Sequence, residues 1–198
     1  MKTLEGREQK LALLFRQVLE QIEPHNHDWE GLKETPARVA KAYAEWCGGY
    51  RISPDGLLKT FEDGCNGYDE LVIQHCIPFR SMCEHHMAPF EGIAHVGYVP
   101  SERIVGLSKL VRVVDAYARR LQVQERITTD IAFCIDRALK PRAVGVILRA
   151  SHSCISSRGI KAHGSSTTTS CMLGLLRTEP GLRAEFMSLC DMAERERK

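Results

Sequence analysis

Cys83 and His86, three apart in Cys83-Glu84-His85-His86, and Cys154, in His152-Ser153-Cys154, are the residues of this chain best suited to chemistry. Two thiolates and an imidazole fall one ligand short of a closed tetrahedral zinc site. A structural zinc takes four protein ligands, whereas a catalytic zinc takes three and keeps a position for water. A second histidine stands beside each part of the set, His85 and His152, and either can move protons at an activated water, so hydrolysis is the expected chemistry. On residue types alone, two other readings stay open: a structural zinc with His85 or His152 as fourth ligand, and free cysteines packed as small apolar side chains.

Cations form a second group. Lys109 and Arg112 lie three apart on a predicted helix and share a face. Arg158-Gly159 follows the His-x-Cys segment, with Lys161 close by. Cations converging in this way suit a triphosphate, while an ordinary solvated helix face accounts for the Lys109/Arg112 pair equally well. Gln124-Glu125-Arg126 opens another predicted helix. A carboxylate there can accept two N–H bonds of the kind a guanine edge offers, or can simply complement the helix dipole. His25, His27, His75, His95 and His163 show no usable pairing; His25 and His27 read as loop residues and His95 as a strand residue.

The elements that must position these groups are legible in the spacing of apolar residues. Residues 9–22 predict an amphipathic helix with Leu11, Leu14, Phe15, Val18, Leu19 and Ile22 on one face. After Pro24-His25-Asn26-His27-Asp28, a second helix is expected with Thr35 as cap and Pro36 in the first helical position, ending near Gly48-Gly49. Residues 71–78 and 92–99 read as strands flanking the Cys-Glu-His-His loop. Residues 106–120 return to helical period, with Leu107, Leu110, Val111, Val114, Tyr117, Ala118 and Leu121 inward, and residues 123–139 follow with Val123, Ile127, Ile131 and Ile135. Residues 144–155 alternate as a strand, which places His152 and Cys154 on one face. Residues 165–170 suit a strand or a loop, and Thr178-Glu179-Pro180 opens a last helix to about residue 194. Helices, then strands with a helical insertion, then a helix predict an α+β fold.

Composition bounds the class. The chain has 198 residues, 43% of them hydrophobic, which suffices for one real core, and a net charge of +2. That balance argues against a dedicated nucleic-acid or membrane-surface protein. The polar start, Met1 to Glu8, shows no apolar leader segment, and no apolar run is long enough to span a membrane. Eight scattered cysteines with no sign of an oxidising compartment predict reduced thiols and a cytoplasmic location.

Taken together, Ser81-Met82-Cys83-Glu84-His85-His86, Pro89-Phe90, Gly106-Leu107-Ser108-Lys109, Arg119 to Arg126 and His152-Ser153-Cys154…Arg158-Gly159 resemble the GTP cyclohydrolase I family. Gly31 to Ala40 and Arg183-Ala184-Glu185-Phe186 extend the likeness over nearly the whole chain. The resemblance implies a zinc-dependent conversion of GTP and water to formate and 7,8-dihydroneopterin triphosphate, the first step towards folate, another pterin or a 7-deazaguanine. It implies zinc held by Cys83, His86 and Cys154, His152 as general acid/base, Glu125 with Gln124 at the guanine edge, Lys109, Arg112 and Arg158 on the triphosphate, and His85 and Ser108 near the ribose. It implies a tunnelling fold, an antiparallel sheet with helices on one side, preceded by an N-terminal helical extension (1–60 before a catalytic domain at 61–198). It further implies a toroidal homodecamer with active sites at subunit interfaces.

The likeness departs at Ala162-His163, where the family often carries a further basic residue and a proline, so the phosphate contacts around 161–170 are the part least transferable. Two rivals share the fold. One is a nitrile reductase acting on a 7-deazaguanine through a cysteine nucleophile and NADPH, which needs no zinc triad. The other is a non-catalytic module, which would be expected to lack ligands or the general acid.

Overall fold

The computed structural model describes residues 4–26, 28–62 and 67–197. His27, Cys65 and the first three residues of the polar start lie outside the described residues. The chain divides into two compact units, residues 1–48 and 49–198.

The first unit is a pair of helices, α1 (Leu4–Ile22) and α2 (Thr35–Trp46). Phe15 stacks on Tyr43 with ring centroids 5.3 Å apart, and Tyr43 meets Trp46 edge-on at the same distance. Leu11, Phe15 and Leu19 are half-buried, but Leu14, Val18 and Ile22 are exposed. The apolar stripe is therefore wider than one partner helix covers. Thr35 is the first residue of α2 rather than its cap: the cap is Glu34, whose side chain makes no capping bond and pairs with Arg38 instead, and Pro36 takes the second position.

The second unit is built on five strands in the order β5-β2-β3-β6-β7. A small pair, β1 (Thr60–Phe61) and β4 (Ile104–Val105), stands apart. Strands β2 (Val72–Cys83), β3 (Pro89–Val99), β6 (Ala143–His152) and β7 (Thr167–Gly174) run antiparallel, and the short β5 (Leu121–Gln122) pairs in parallel with the end of β2. Helices α3 (Leu107–Ala118) and α4 (Gln124–Leu139) cover one face, α4 burying Ile127, Ile131 and Ile135 completely. Each of these side chains stabilises the fold by roughly 1.5–3 kcal/mol.

Three expectations change. First, helices cover both faces of the sheet, not one. After the turn α6 (Leu175–Thr178), the terminal helix α7 (Pro180–Glu196) packs Phe186 and Cys190 against Val99, Ala143 and Ile147, a core separate from that under α3 and α4. Residues 143–148 of β6 are consequently buried without interruption, as a strand covered on both faces must be. Second, Leu107 and Val111 are exposed; the inner face of α3 is Leu110, Val113, Val114 and Tyr117, one position round the helix from the expected stripe. Third, β6 ends at His152, and Cys154 lies in the helical turn α5 (Ser153–Ser156). Strand alternation therefore does not place His152 and Cys154 together.

Paired glycines make the second core possible. Gly97 of β3 lies opposite Gly145 of β6. A Cβ on either would come within 2.8 Å of the Phe186 ring. The two together form the seat for that side chain.

Candidate metal centre

The site is assembled where two strand ends and two helix starts meet. β2 delivers Cys83, and the chain reverses through a tight turn closed by Cys83 N–H donating to Ala88 O (2.8 Å) and Met87 N–H donating to Cys83 O (2.8 Å). Met87 takes up the reversal with a left-handed φ of 51°, uncommon for a residue with a Cβ. This turn holds His86 back over its own strand, its Nδ1 3.7 Å from Cys83 Sγ. β3 then runs antiparallel to β6 in a register that sets Phe90 opposite His152. Two residues later α5 presents Cys154. Ser153 Oγ donates to Pro89 O, and the Ser156 and Ser157 hydroxyls bond back to His152 O and Ser153 O, which closes the turn.

The ligand atoms of Cys83, His86 and Cys154 all lie within 4.8 Å of one another, with Cys83 buried, Cys154 half-buried and His86 exposed. Burial and the neighbouring Cys83 thiol push the Cys154 thiol up from its ordinary value, while the Arg158 charge acts in the opposite direction. Two thiols crowded together and opened on one side by an imidazole fit a borderline-soft cation, whose charge reverses that shift and holds thiolates. The donor set fits zinc with one position left open. His85 is exposed, its Nδ1 4.0 Å from Cys83 Sγ.

His152 is held by two contacts. Its ring stacks on Phe90, centroids 4.4 Å apart and planes within 8°. Its Nε2 lies 2.8 Å from Gln124 Oε1. The Gln124 amide nitrogen donates to Leu148 O, Thr167 O and Thr169 Oγ1 at 3.0–3.1 Å. Its oxygen is therefore the atom facing His152, and an amide oxygen only accepts. So His152 carries its proton on Nε2 and keeps a lone pair on Nδ1. Burial lowers its pKa, with Glu125 pulling the other way, which favours the neutral base.

Gln124, expected beside Glu125 at the guanine edge, is drawn inward by its side chain. It is 2% exposed, and every hydrogen-bonding atom of its side chain is engaged inside the chain, so it positions His152 rather than presenting an edge to a base. Glu125 stands exposed in the first turn of α4. Arg126 beside it pairs instead with Glu84 through two bonds, 2.6 and 3.2 Å, which holds the Glu84 carboxyl below its usual range. That clamp ties the metal turn to α4. Sequence reasoning found no role for Phe90, Arg126 or the Thr128–Thr169 hydroxyl pair (2.7 Å) behind Gln124. The Pro89-Phe90 pair was visible, but only the strand register reveals the stacking.

Arg158 lies just beyond α5, close enough to act on Cys154. Ser108, Lys109 and Arg112 sit on the first turns of α3, and their side chains make no hydrogen bond or ion pair with another described residue.

A cluster of two thiols and an imidazole able to hold a cation, with a tautomer-fixed histidine two residues from one of its thiols, is compatible with metal-assisted hydrolysis. Residues 12–191 match GTP cyclohydrolase I, and the chain belongs to that family. It is 53% identical over 165 residues to GTP cyclohydrolase 1 of Nitrosospira multiformis, covering 83% of this chain and 86% of that protein. It is 52% identical to the protein of the same name from Janthinobacterium sp. (83% of each) and 53% identical to that of Sinorhizobium fredii (81% and 78%). Among solved structures, the archaeosine synthase QueF-Like in the apo form superposes with a TM-score of 0.43 at 20% identity, over 53% of this chain and 94% of that one.

Proposed function

We propose that the chain catalyses the GTP cyclohydrolase I reaction, GTP and water giving formate and 7,8-dihydroneopterin triphosphate, with zinc held by Cys83, His86 and Cys154. The observation that carries this reading is the meeting of those three ligands with a histidine whose free Nδ1 lone pair is fixed by Gln124 and Phe90. Zinc bound there supplies Lewis acidity and an activated water.

His152 accepts and returns the proton during opening of the imidazole ring, as a neutral imidazole near its working pH does well. Glu125 accepts the guanine N–H groups. Arg158, Lys109 and Arg112 hold the triphosphate, and His85 and Ser108 serve the ribose, where rearrangement and ring closure follow. The reading includes sites shared between subunits, and Lys109 and Arg112, whose side chains pair with no other described residue, are available to a triphosphate there. The exposed Leu14, Val18 and Ile22 of α1 supply apolar surface for such an assembly. The reading includes a tunnelling fold closed into a ring of ten. Light scattering should then give a mass near ten chains of 22.3 kDa, and a stable, active monomer contradicts it. A cytoplasmic location accords with the free state of every described cysteine. No helix among the described residues is long and apolar enough to cross a membrane.

The deciding assay is formate release from GTP by the zinc-loaded protein. GTP left intact by well-folded, metal-loaded protein overturns the proposal.

A further inference from the structure

On the sheet face opposite the metal centre, the histidines that showed no pairing in the sequence come together. His75 of β2, His95 of β3 and Cys190 of α7 have their ligand atoms within 4.8 Å of one another. The two imidazole Nδ1 atoms are 3.4 Å apart, with the rings steeply inclined at 71°. Two nitrogens each bound at about 2.0–2.1 Å to one tetrahedral zinc lie roughly 3.3–3.4 Å apart. The observed spacing matches that of two nitrogens on a shared cation and also lies within the reach of a direct imidazole–imidazole hydrogen bond.

Two further observations point the same way. His95 is completely buried, and its Nε2 lies 3.2 Å from Glu194 Oε1; the other Glu194 oxygen is taken by Arg149. A carboxylate on the far nitrogen puts the proton there and aims the Nδ1 lone pair inward, as it does for most metal-bound histidines. Glu194 lies four residues after Cys190, so α7 presents ligand and orienting carboxylate from one face. Strand β2 is also bent to reach the cluster. Its register with β3 shifts between Gln74 and Ile77, and Cys76 takes a left-handed φ of 50° within that bulge. A bulge re-aims side chains at a cost in backbone strain, and the two residues inside this one are His75 and Cys76, the latter reaching Ala193 O of α7 with its Sγ.

We propose that His75, His95 and Cys190 form a second metal site, taking a divalent d-block cation of the zinc type and clamping the terminal helix α7 to strands β2 and β3. An imidazole–imidazole–thiolate set suits such a borderline-soft ion and not magnesium or calcium. The site lies apart from Cys83, His86 and Cys154 and needs none of the residues assigned to the reaction.

The test is metal stoichiometry. Protein stripped with a chelator and refilled with Zn2+ should hold two equivalents per chain by elemental analysis. Cys154→Ser should lose one. Cys190→Ser and the milder His75→Asn should each lose the other and still release formate from GTP. Zn2+ added to stripped Cys154→Ser protein should raise its melting temperature, and the same addition to a Cys154→Ser/His75→Asn double variant should not. A zinc content unchanged by both Cys190→Ser and His75→Asn overturns the second site. His75 is half-buried at a bulge, so its variant keeps the test decisive if Cys190→Ser fails to fold. Loss confined to Cys154→Ser speaks against this site while leaving the catalytic reading intact.

Discussion

The Nε2–H of His152 donates to Oε1 of Gln124 across 2.8 Å, and Gln124 has no hydrogen-bonding atom left for anything else. Gln124 fixes the His152 tautomer, and Leu148, Thr167 and Thr169 fix the orientation of Gln124. His152→Ala should therefore keep its metal and lose GTP turnover by roughly 10²-fold or more. Gln124→Met, of similar shape but without hydrogen bonds, should give a smaller loss of kcat together with a lower melting temperature. It removes the amide donor that serves Leu148 O, Thr167 O and Thr169 Oγ1, and each hydrogen bond lost costs about 0.5–1.5 kcal/mol. Unchanged turnover in both variants would reduce the pair to packing.

Arg158 separates phosphate binding from ring recognition. If its guanidinium meets the triphosphate, Arg158→Ala should weaken GTP binding roughly 10- to 100-fold, the equivalent of about 1.5–3 kcal/mol for a charge-assisted contact. Guanosine binding should scarcely change. Equal weakening of both, measured by calorimetry, would assign Arg158 a structural role.

At Glu125 the competing readings differ in size. A carboxylate that only complements the α4 dipole is worth roughly 0.3–1 kcal/mol of stability. One that holds the guanine N–H groups is worth roughly 1.5–3 kcal/mol of GTP binding. Glu125→Gln is expected to melt close to wild type and to bind GTP poorly. A lower melting point with full affinity would return the residue to the helix end.

Gly145 tests the second core. Its alanine Cβ would stand 2.8 Å from both Phe186 and Leu176, so Gly145→Ala should destabilise the protein by about 1–3 kcal/mol through overpacking. Denaturant unfolding measures this directly. A second substitution that shortens the ring, Phe186→Leu, should recover part of the loss if the clash is its cause.

Much of this fold was legible from periodicity. The α4 stripe of Ile127, Ile131 and Ile135 stands where the spacing put it, and so does the strand–turn–strand around Cys83. What escaped has physical reasons. Leu107 and Val111 are as apolar as Leu110 and Val114, and composition alone does not say which edge of a broad stripe turns inward. The helical turn carrying Cys154 is four residues long and held by serine hydroxyls, too short for any period to register. Burial of β6 on both faces depends on where α7 returns. Gln124 sits at a helix start beside a plausible ligand for a base, and only its contacts with Leu148, Thr167 and Thr169, all distant in sequence, reveal that it faces inward.

With the cation held as proposed, the turn that joins Cys83 to His86 would govern how the protein acquires it. Those two donors are chain neighbours and can chelate a cation in an unstructured nascent chain, though only as a weak pair. Cys154 reaches them only after a long loop has closed and β3 has found its register on β6, the slow, non-local step of such a topology. High affinity would thus emerge together with the finished sheet, and metal capture would report the completion of folding rather than its beginning.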